Sequence, residues 1–426
     1  MPRSDVNILF FSHYFVPESN APAARVHSLA KEWVKAGHEV TVITCAPNVP
    51  NGVVYPGYRN RLFQRQRLDG IKVVRVWTYL APNKGTVKRI VNFLSYFVTG
   101  TFVGLAVGEA DVVIGTSPQF FAGWAGLVVA RAKRRPYVLE IRDLWPESIT
   151  TVGAMSRGAG VRLLELLEKK LYRWSTRIVT VGDGYRERLV QKGVPAAKIA
   201  VVTNGFEDEL FSPRAADPAV RRAWGLRDDQ FVCIFAGTIG MASGLGVVVR
   251  AARLLKEKGR DDIAFVLVGD GAIRDELLAQ VSEQDLKNIV LPGLQPRERL
   301  PELLAAADAC LVHFRKAELF TTILPSKFFE DAAMAKPIVL GFRGHAERML
   351  READCGLVFE PEDEHGLVAA LEQLAADPEL ARRLGANGRA YVLPRFERRA
   401  LAADYLRRLE TLVAAPPEDG TAASGK

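Results

Sequence analysis

The chain has 426 residues, 48% of them hydrophobic and 25% charged, which is typical of a soluble globular protein and, at this length, of two domains of about 200 residues each. Its net charge is +8, but Lys and Arg form no basic block and no RNA-binding aromatic signature, so an acidic membrane surface or phosphorylated substrates are expected rather than nucleic acid. Four scattered cysteines argue against a disulfide or metal framework and favour a reducing cytoplasm.

The first half of the chain alternates strand-like apolar runs with helical periodicity, the pattern of a parallel sheet covered on both faces. No apolar signal-peptide core precedes the first run, so export is not expected. The predicted strands are residues 6–12, 40–44, 73–77, 112–116, 137–141, 178–181 and 200–203.

Residues 90–107 form the most apolar segment of this half, and Lys88 and Arg89 precede it. The segment approaches the ~20 residues of a membrane-spanning helix, but Asn92 and Ser95 dilute it. Two interpretations remain: a helix packed on the sheet, or a helix that touches a membrane and has basic flanks.

The second half repeats the alternation, with strands predicted at 231–236, 264–268, 289–291, 309–313, 338–340 and 357–359. The boundary between the two halves of the chain is expected where turn residues and acidic residues cluster, in the linker given next. We predict an N-terminal domain at 1–204, a linker at 205–229 and a C-terminal domain at 230–394. A C-terminal helix at 395–415 should pack back toward the N-terminal domain, and 416–426 should be a disordered tail.

Ligands of open α/β sheets bind beyond the carboxyl ends of the strands. Polar and glycine residues at those positions are therefore candidates, and the loops that carry them should converge on a cleft between the domains. They are Arg142 and Asp143 after 137–141, Gly237, Thr238 and Gly240 after 231–236, and Gly269 and Gly271 after 264–268. His13, after the first strand, is either part of this cleft or a packed core histidine.

The segment Pro325-Ser326-Lys327-Phe-Phe-Glu330 places a hydroxyl and a cation at a helix start and a carboxylate one turn later. The free amides and the dipole of a helix N-terminus favour an anion. Lys327 adds positive charge, and Glu330 offers acceptor oxygens for a ribose diol. A nucleotide diphosphate fits this arrangement, although an ordinary amphipathic helix has the same pattern.

With these motifs, the chain resembles glycosyltransferase family 4 over essentially its whole length. The motifs are Gly-His-Glu-Val at 37–40, Arg-Asp-Leu-Trp-Pro-Glu at 142–147, Thr-Asn-Gly at 203–205, Gly-Asp-Gly at 269–271 and the segment 325–330. The likeness is greatest to bacterial O-antigen and capsule enzymes of the L-fucosamine transferase type. It implies the GT-B fold, which consists of two facing Rossmann-like domains with parallel sheets, here followed by a C-terminal helix.

The resemblance assigns Glu330 to the donor ribose and places Ser326 beside it. The first glutamate of the family's pair falls at Thr322, and the family's diphosphate-binding Arg and Lys fall at Thr238 and Ser243. Lys327 is therefore our first candidate for diphosphate neutralisation and Arg315 our second. Either side chain could instead be a solvated surface cation.

The family's His-Asp pair corresponds to Arg142-Asp143 in this chain. Asp143 could accept a hydrogen bond from the donor sugar, or it could pair with Arg142 as a structural element. No Asp-x-Asp motif is available for a metal, so neither a metal nor another cofactor is expected, and backbone amides, helix dipole and cations should stabilise the leaving group.

The implied activity is retaining transfer from a UDP-sugar, possibly of N-acetyl-L-fucosamine, to a polyprenyl-diphosphate-linked saccharide. The expected location is the cytoplasmic face of the inner membrane, with peripheral attachment to its inner leaflet. Two alternatives remain open: a sugar-nucleotide epimerase of GT-B-like fold, and a non-catalytic nucleotide-binding or membrane-binding protein.

Overall fold

The computed structural model describes residues 5–18, 20–82, 86–151 and 158–415 of the chain. These residues form two α/β domains, each built around one sheet. The predicted disordered tail, 416–426, lies outside the described residues.

The N-terminal domain contains an eight-stranded sheet in the order β3-β4-β2-β1-β5-β6-β7-β8. Its strands are β1 Asn7–Phe11, β2 Glu39–Cys45, β3 Phe63–Leu68, β4 Ile71–Val76, β5 Val112–Thr116, β6 Tyr137–Ile141, β7 Arg177–Thr180 and β8 Ile199–Val201. Its helices are α1 Ala21–Lys35, α2 Thr86–Ala106, α3 Phe120–Ala132, α4 Glu147–Thr151, α5 Ala159–Trp174 and α6 Asp183–Gln191. The central strands are apolar and buried because helices cover both faces of the sheet.

One edge strand corrects the prediction of a purely parallel sheet. Strand β3 pairs antiparallel with β4, and Phe63 lies opposite Val76. The sequence of β3, Phe-Gln-Arg-Gln-Arg-Leu, carries no apolar run because the strand is at the edge and partly exposed along its length. Charged side chains at an edge also discourage pairing with another chain.

The C-terminal domain contains a six-stranded parallel sheet in the order β11-β10-β9-β12-β13-β14. Its strands are β9 Phe231–Ala236, β10 Ile263–Val268, β11 Ile289–Gly293, β12 Ala309–His313, β13 Ile338–Gly341 and β14 Gly356–Val358. Its helices are α7 Pro218–Ala223, α8 Gly246–Glu257, α9 Arg274–Glu283, α10 Leu300–Ala305, α11 Ser326–Ala333, α12 His345–Ala353, α13 Glu364–Ala376 and α14 Pro378–Phe396. The strand order reverses between β9 and β12, where such sheets open a ligand crevice.

The predicted linker 205–229 does not form a free connection. Phe206 and Phe211 are fully buried in the core of the C-terminal domain, together with Trp224 and Leu226. Helix α7 lies within this segment, and Asp217 caps it by accepting a hydrogen bond from the Ala219 amide. The apolar residues between the turns therefore belong to the domain that follows.

The last helix, α15 Arg398–Ala414, packs against α1 of the N-terminal domain. The indole nitrogen of Trp33 donates to the carbonyl oxygen of Ala402 at 2.9 Å, and the Trp33 ring meets the Tyr405 ring edge-on. Helix α14 continues through Pro394 to Phe396, so the predicted helix start at 395 is three residues too early. The chain therefore returns to its first domain before it ends.

Helix α2 is long and apolar enough to cross a membrane by length and composition, but the structure builds it into the N-terminal domain. Its inner face carries Phe93 and Tyr96, both buried, and the Tyr96 hydroxyl donates to the carbonyl oxygen of Ile43 in β2. Asn92, one of the polar residues that dilute the segment, donates to the Tyr79 carbonyl. Only 28% of the apolar window is buried.

Candidate active site

Helix α11 begins at the carboxyl side of the crevice formed by β9 and β12. Pro325 precedes it in an extended conformation, Ser326 is its first residue and Lys327 its second, so the predicted helix start is present. The first amides of a helix have no carbonyl of an earlier turn to bind, and no side chain caps this end. These amides can therefore donate hydrogen bonds to an anion.

Lys327 is half-buried behind that helix start. Its ammonium lies over the face of the Phe235 ring and beside Gly237, where a Cβ atom would come within 2.8 Å of the nitrogen. Burial lowers the pKa of Lys327 to about 7, although Asp331 and Glu330 act in the opposite direction. Burial raises the pKa of Asp331 to about 8. With its nitrogen against the Phe235 ring, the Lys327 side chain is not a solvated surface cation.

Glu330 lies one turn further along α11 and is 9% exposed. Its Oε1 accepts a hydrogen bond from Nη1 of Arg297 at 2.8 Å. Arg297 also lies over the Phe211 ring, 5.0 Å from its centre. Sequence reasoning missed Arg297, because it is on a separate 3-10 turn, Arg297–Arg299, and resembles the exposed arginine two positions later.

The glycine loops after β9 and β10 pack backbone to backbone at the crevice. The amide of Ile239 donates to the Asp270 carbonyl at 3.0 Å, and a Cβ atom on Gly271 would overlap the carbonyl oxygen of Ile239. Gly269 has a φ of +141°, and its Cβ would overlap the carbonyl oxygen of Gly237. This contact leaves no room for any other residue at 269.

The remaining side chains of the first glycine loop differ in exposure. Thr238 is exposed, whereas Ser243 is buried and donates its hydroxyl hydrogen to the Gly240 carbonyl. Ser243 therefore stabilises the loop. The hydroxyl of Thr322, at the position of the missing family carboxylate, donates to the Leu319 carbonyl at 2.7 Å.

Arg315 and His313 lie close together at the end of β12 but have different environments. The Arg315 side chain is 48% exposed, and its Nε is 3.9 Å from Glu362. The His313 ring is buried; its Nδ1 is 2.7 Å from the Ser243 carbonyl, and its Nε2 accepts from the Glu362 amide. Burial lowers the pKa of His313 to about 4. Neutral His313 thus fixes the loop, a role that the sequence did not reveal.

Arg142 and Asp143 lie at the carboxyl end of β6 in the other domain. Ser117 Oγ accepts from both of their amides, at 2.7 and 3.2 Å. Asp143 accepts from the Ser148 hydroxyl at 2.9 Å, and burial raises its pKa. Among the described residues no ion pair joins Asp143 to Arg142, so the structural pairing considered from the sequence is not present.

The Arg142 guanidinium is the least satisfied charged group of this region. Its Nε and Nη1 are buried without a partner among the described residues. Its neighbour Glu140 already accepts two bonds from Arg25 and one from Thr116. The pKa of Arg142 is lowered to about 9, chiefly by burial; Glu140 acts in the opposite direction, and the charges of Arg25 and Arg398 act in the same direction as burial. Arg142 is suited to binding an acceptor oxygen of a ligand.

The two domains meet through the 3-10 helix Glu318–Thr322 of the C-terminal domain. Leu319 is buried in the core of the N-terminal domain, and the Thr322 backbone lies against Gly184 at the start of α6. His345 Nε2 is 3.2 Å from Glu187. The loops of the two sheets therefore face one another. Within the described parts of the chain, no three His, Cys, Asp or Glu side chains are grouped as metal ligands.

Two family models match successive parts of the chain. A Glycosyl transferase 4-like domain matches residues 20–205, and a Glycosyl transferases group 1 domain matches residues 217–391. The chain is a GT-B glycosyltransferase. The family and the two-domain fold expected from the sequence are thus confirmed, and the interval between the matched ranges, residues 206–216, lies where the chain passes from one domain to the other.

Sequence relatives of this glycosyltransferase include WcaI, a putative colanic acid biosynthesis glycosyl transferase of Escherichia coli (strain K12). The two are 28% identical over 359 residues, which are 82% of this chain and 87% of WcaI. A probable glycosyltransferase of Pseudomonas aeruginosa, WbjE, is 26% identical over 245 residues, 56% of this chain and 59% of WbjE.

Solved structures support the fold of the glycosyltransferase. Sucrose-phosphate synthase from Thermosynechococcus elongatus has a TM-score of 0.76 at 18% identity, over 96% of this chain and all of that one. Anabaena HepE in complex with UDP and glucose has a TM-score of 0.71 at 18% identity, over 95% of this chain and all of that one.

Proposed function

We propose that this glycosyltransferase moves a sugar from a UDP-sugar to a lipid-linked saccharide during surface polysaccharide biosynthesis. The observation that carries the proposal is the placement of Lys327 and Glu330 within one turn of the start of α11. WcaI is named for colanic acid biosynthesis, and the HepE structure contains UDP and glucose. The sugar that we propose is N-acetyl-L-fucosamine or a related N-acetylated deoxyamino sugar.

In the proposed complex the amides of Ser326 and Lys327 and the Lys327 ammonium bind the diphosphate. Glu330 accepts hydrogen bonds from the ribose hydroxyls. The glycine loop with Gly237 and Gly240 lets the backbone approach the donor closely. These groups stabilise charge that grows on the leaving phosphate, as preorganised donors do.

The proposed reaction retains the anomeric configuration. The bond between the anomeric carbon and the β-phosphate oxygen breaks, the acceptor hydroxyl oxygen bonds to the same face of that carbon, and its proton passes to the departing phosphate oxygen. No side-chain base is required, and metal-independent transfer is part of the proposal. Arg142 and Asp143 would orient the donor sugar from the opposite domain, so the protein contributes position and charge.

The test is product analysis with purified protein. A panel of UDP-sugars is incubated with a polyprenyl-diphosphate-linked saccharide, with and without a metal chelator, and the products are identified by mass spectrometry. We expect one UDP-sugar to give an extended lipid product with or without chelator. A UDP-sugar that changes without acceptor would identify an epimerase. UDP binding without a product from any donor would favour the non-catalytic alternative and refute the proposal.

We also propose that the protein lies on the cytoplasmic face of the inner membrane, as a lipid-linked acceptor requires. The outer face of α2 carries exposed apolar side chains at helical spacing; they are Val87, Val91, Leu94, Val98, Phe102 and Leu105. Val87 is 75% exposed and Phe102 is 70% exposed. Lys88 and Arg89 at the start of this stripe suit an anionic surface.

Liposome flotation tests the membrane proposal. We expect the protein to float with vesicles that contain phosphatidylglycerol, and Phe102→Asp to reduce the floating fraction severalfold. Val53→Asp is the matched control, because Val53 is 69% exposed in a different part of the same domain. Equal flotation of the two variants would refute a role for α2.

A further inference from the structure

The chain passes between the two domains twice, and the two passages lie side by side. The first follows β8, where Phe206 enters the core of the C-terminal domain. The second joins α14 to α15. The amide of Phe206 donates to the Phe396 carbonyl at 3.1 Å, and the amide of Arg398 donates to the Phe206 carbonyl at 2.8 Å. A change in the angle between the domains must act on this paired crossing, because both covalent connections run through it.

A row of four charged side chains extends from this crossing to the proposed donor site. Arg398 donates to Glu207 Oε1 at 2.5 Å. The same Glu207 oxygen is 3.6 Å from Nη2 of Arg297, whose Nη1 donates to Glu330 at 2.8 Å. Arg398 also donates to the carbonyl oxygen of Gly205, within the first passage.

The row is largely buried and electrically balanced. The side chains of Arg398, Arg297 and Glu330 are 7%, 16% and 12% exposed, and that of Glu207 is 37% exposed. Two guanidinium groups face two carboxylates, so the loss of Glu207 would leave the buried charge of the arginines without part of its compensation, which is costly. Burial alone would raise the pKa of Glu207, but Arg398 and Arg297 bring it below its ordinary value. Glu207 is therefore the anionic link between the two arginines.

The contacts of Arg297 suit a guanidinium group. Its Nη1 donates to Glu330, its Nη2 lies 3.6 Å from Glu207 without a hydrogen bond among the described residues, and its carbon centre lies over the Phe211 ring. An ammonium is a single point charge and cannot bridge the two carboxylates in this way. The bond from Arg297 uses Oε1 of Glu330, and none of the residues that the structure describes donates a hydrogen bond to Oε2.

We propose that Arg297 is a positioning residue that orients Glu330 toward the donor ribose and, through Glu207, couples that carboxylate to Arg398 at the domain crossing. The inference rests on the proposed function, since it concerns how the same donor site is held. It makes ribose recognition depend on residues that touch no ligand. It also predicts that ribose recognition and the domain angle change together.

The experiment measures discrimination of ribose hydroxyls. Binding of UDP and of 2′,3′-dideoxy-UDP is measured by calorimetry on the full-length protein, and the ratio of the two dissociation constants reports on the contact with Glu330. We expect the wild type to prefer UDP by about tenfold or more, as for a hydrogen bond to a charged group, and Glu330→Gln to lose most of that preference.

Arg297→Lys should lower the ratio toward unity and raise KM for the UDP-sugar, with kcat changed less than about twofold. Glu207→Gln should lower the ratio in the same direction. Arg299→Lys is the matched control on the same 3-10 turn, because Arg299 is exposed and its hydrogen bonds, to Glu302 at 3.4 Å and to Gln295 at 3.5 Å, are long. The melting temperature of Arg297→Lys should stay within a few degrees of the wild-type value. If Arg297→Lys does not fold, Arg297→Gln is used in its place.

The outcomes separate the two proposals. If the wild type does not bind UDP, the proposed function fails. If Glu330→Gln loses the preference while Arg297→Lys keeps the wild-type ratio, only the positioning role of Arg297 is wrong. If Arg297→Lys lowers the ratio and Glu207→Gln does not, the coupling to Arg398 is wrong.

Discussion

The side-chain nitrogen of Lys327 lies 3.3 Å from the centre of the Phe235 ring. The ring comes from β9 and the lysine from the start of α11, so the contact joins a strand of the crevice to the helix that begins beside it. A ring face attracts a cation but does not replace the water that hydrates an ammonium. Burial consequently lowers the pKa of Lys327 to about 7, and a diphosphate ligand would reverse that effect.

This environment predicts that UDP binding depends on pH between 7 and 9. The free enzyme loses the Lys327 proton above about pH 7, whereas a bound diphosphate favours the charged form and raises the pKa. UDP affinity should therefore fall up to about tenfold per pH unit above 7, with proton uptake on binding. Calorimetry in buffers of different ionisation enthalpy measures both quantities.

A neighbouring group also titrates there and acts in the same direction. Asp331, with a pKa raised to about 8 by burial, gains negative charge over this range and disfavours an anion. Lys327→Met should remove most of the proton uptake. Equal uptake in wild type and Lys327→Met would show that the lysine is not the group involved.

Alanine substitutions at the two proposed donor contacts should impair transfer for different reasons. Lys327→Ala should mainly lower kcat, by about 100-fold, because leaving-group charge is then less well stabilised. Glu330→Ala should mainly raise KM for the donor through the lost ribose contact. Steady-state kinetics with the identified donor separates the two effects, and a double mutant that keeps wild-type activity would contradict the site assignment.

Gly269→Ala should destabilise the protein by about 2 to 4 kcal/mol. The new Cβ would overlap the Gly237 carbonyl, so the two glycine loops would separate. Gly259→Ala is the control, because Gly259 also has a positive φ, +68°, but no neighbouring atom lies within 4 Å of the point that its Cβ would occupy. Urea unfolding measures the free energy of unfolding of both variants. A loss no greater than that of Gly259→Ala would mean that the loop contact contributes nothing.

Trp33→Phe should weaken the docking of α15 on α1. It removes the hydrogen bond to Ala402 and part of the contact with Tyr405, a loss of about 1 to 3 kcal/mol. Amide hydrogen exchange should become faster in residues 398–414. Trp77→Phe, at a position 37% exposed, should leave that exchange unchanged.

His13 should make the protein less stable in acid. Burial lowers its pKa from 6.5 to about 3, so between these values the unfolded chain binds a proton that the folded chain does not. Stability is then lost as the pH falls below 6.5, by up to about 1.4 kcal/mol per pH unit. In His13→Gln the difference in unfolding free energy between about pH 7 and pH 4.5 should be smaller; an unchanged difference would exclude His13 as the source.

Much of the fold followed from local pattern. Alternation of buried β-branched strands with amphipathic helices is a property of neighbouring residues, and a β-strand buried on both faces must be apolar throughout. The start of α11 could also be predicted from the sequence, since Pro325, Ser326 and Lys327 influence the conformation of the backbone next to them. Strand β3 was missed for the same reason: an exposed edge strand need not be apolar.

The tertiary structure decided which distant residues meet. Arg297 comes 33 positions before Glu330, and Arg398 comes 191 positions after Glu207, so no periodicity connects the row of charges. The pKa values of Lys327 and His13 could not be predicted from the sequence either, because a pKa depends on how far the surrounding residues replace water around the group. Residue order determined the helices and strands, whereas the shared burial of charges from both domains determined the chemistry of the cleft.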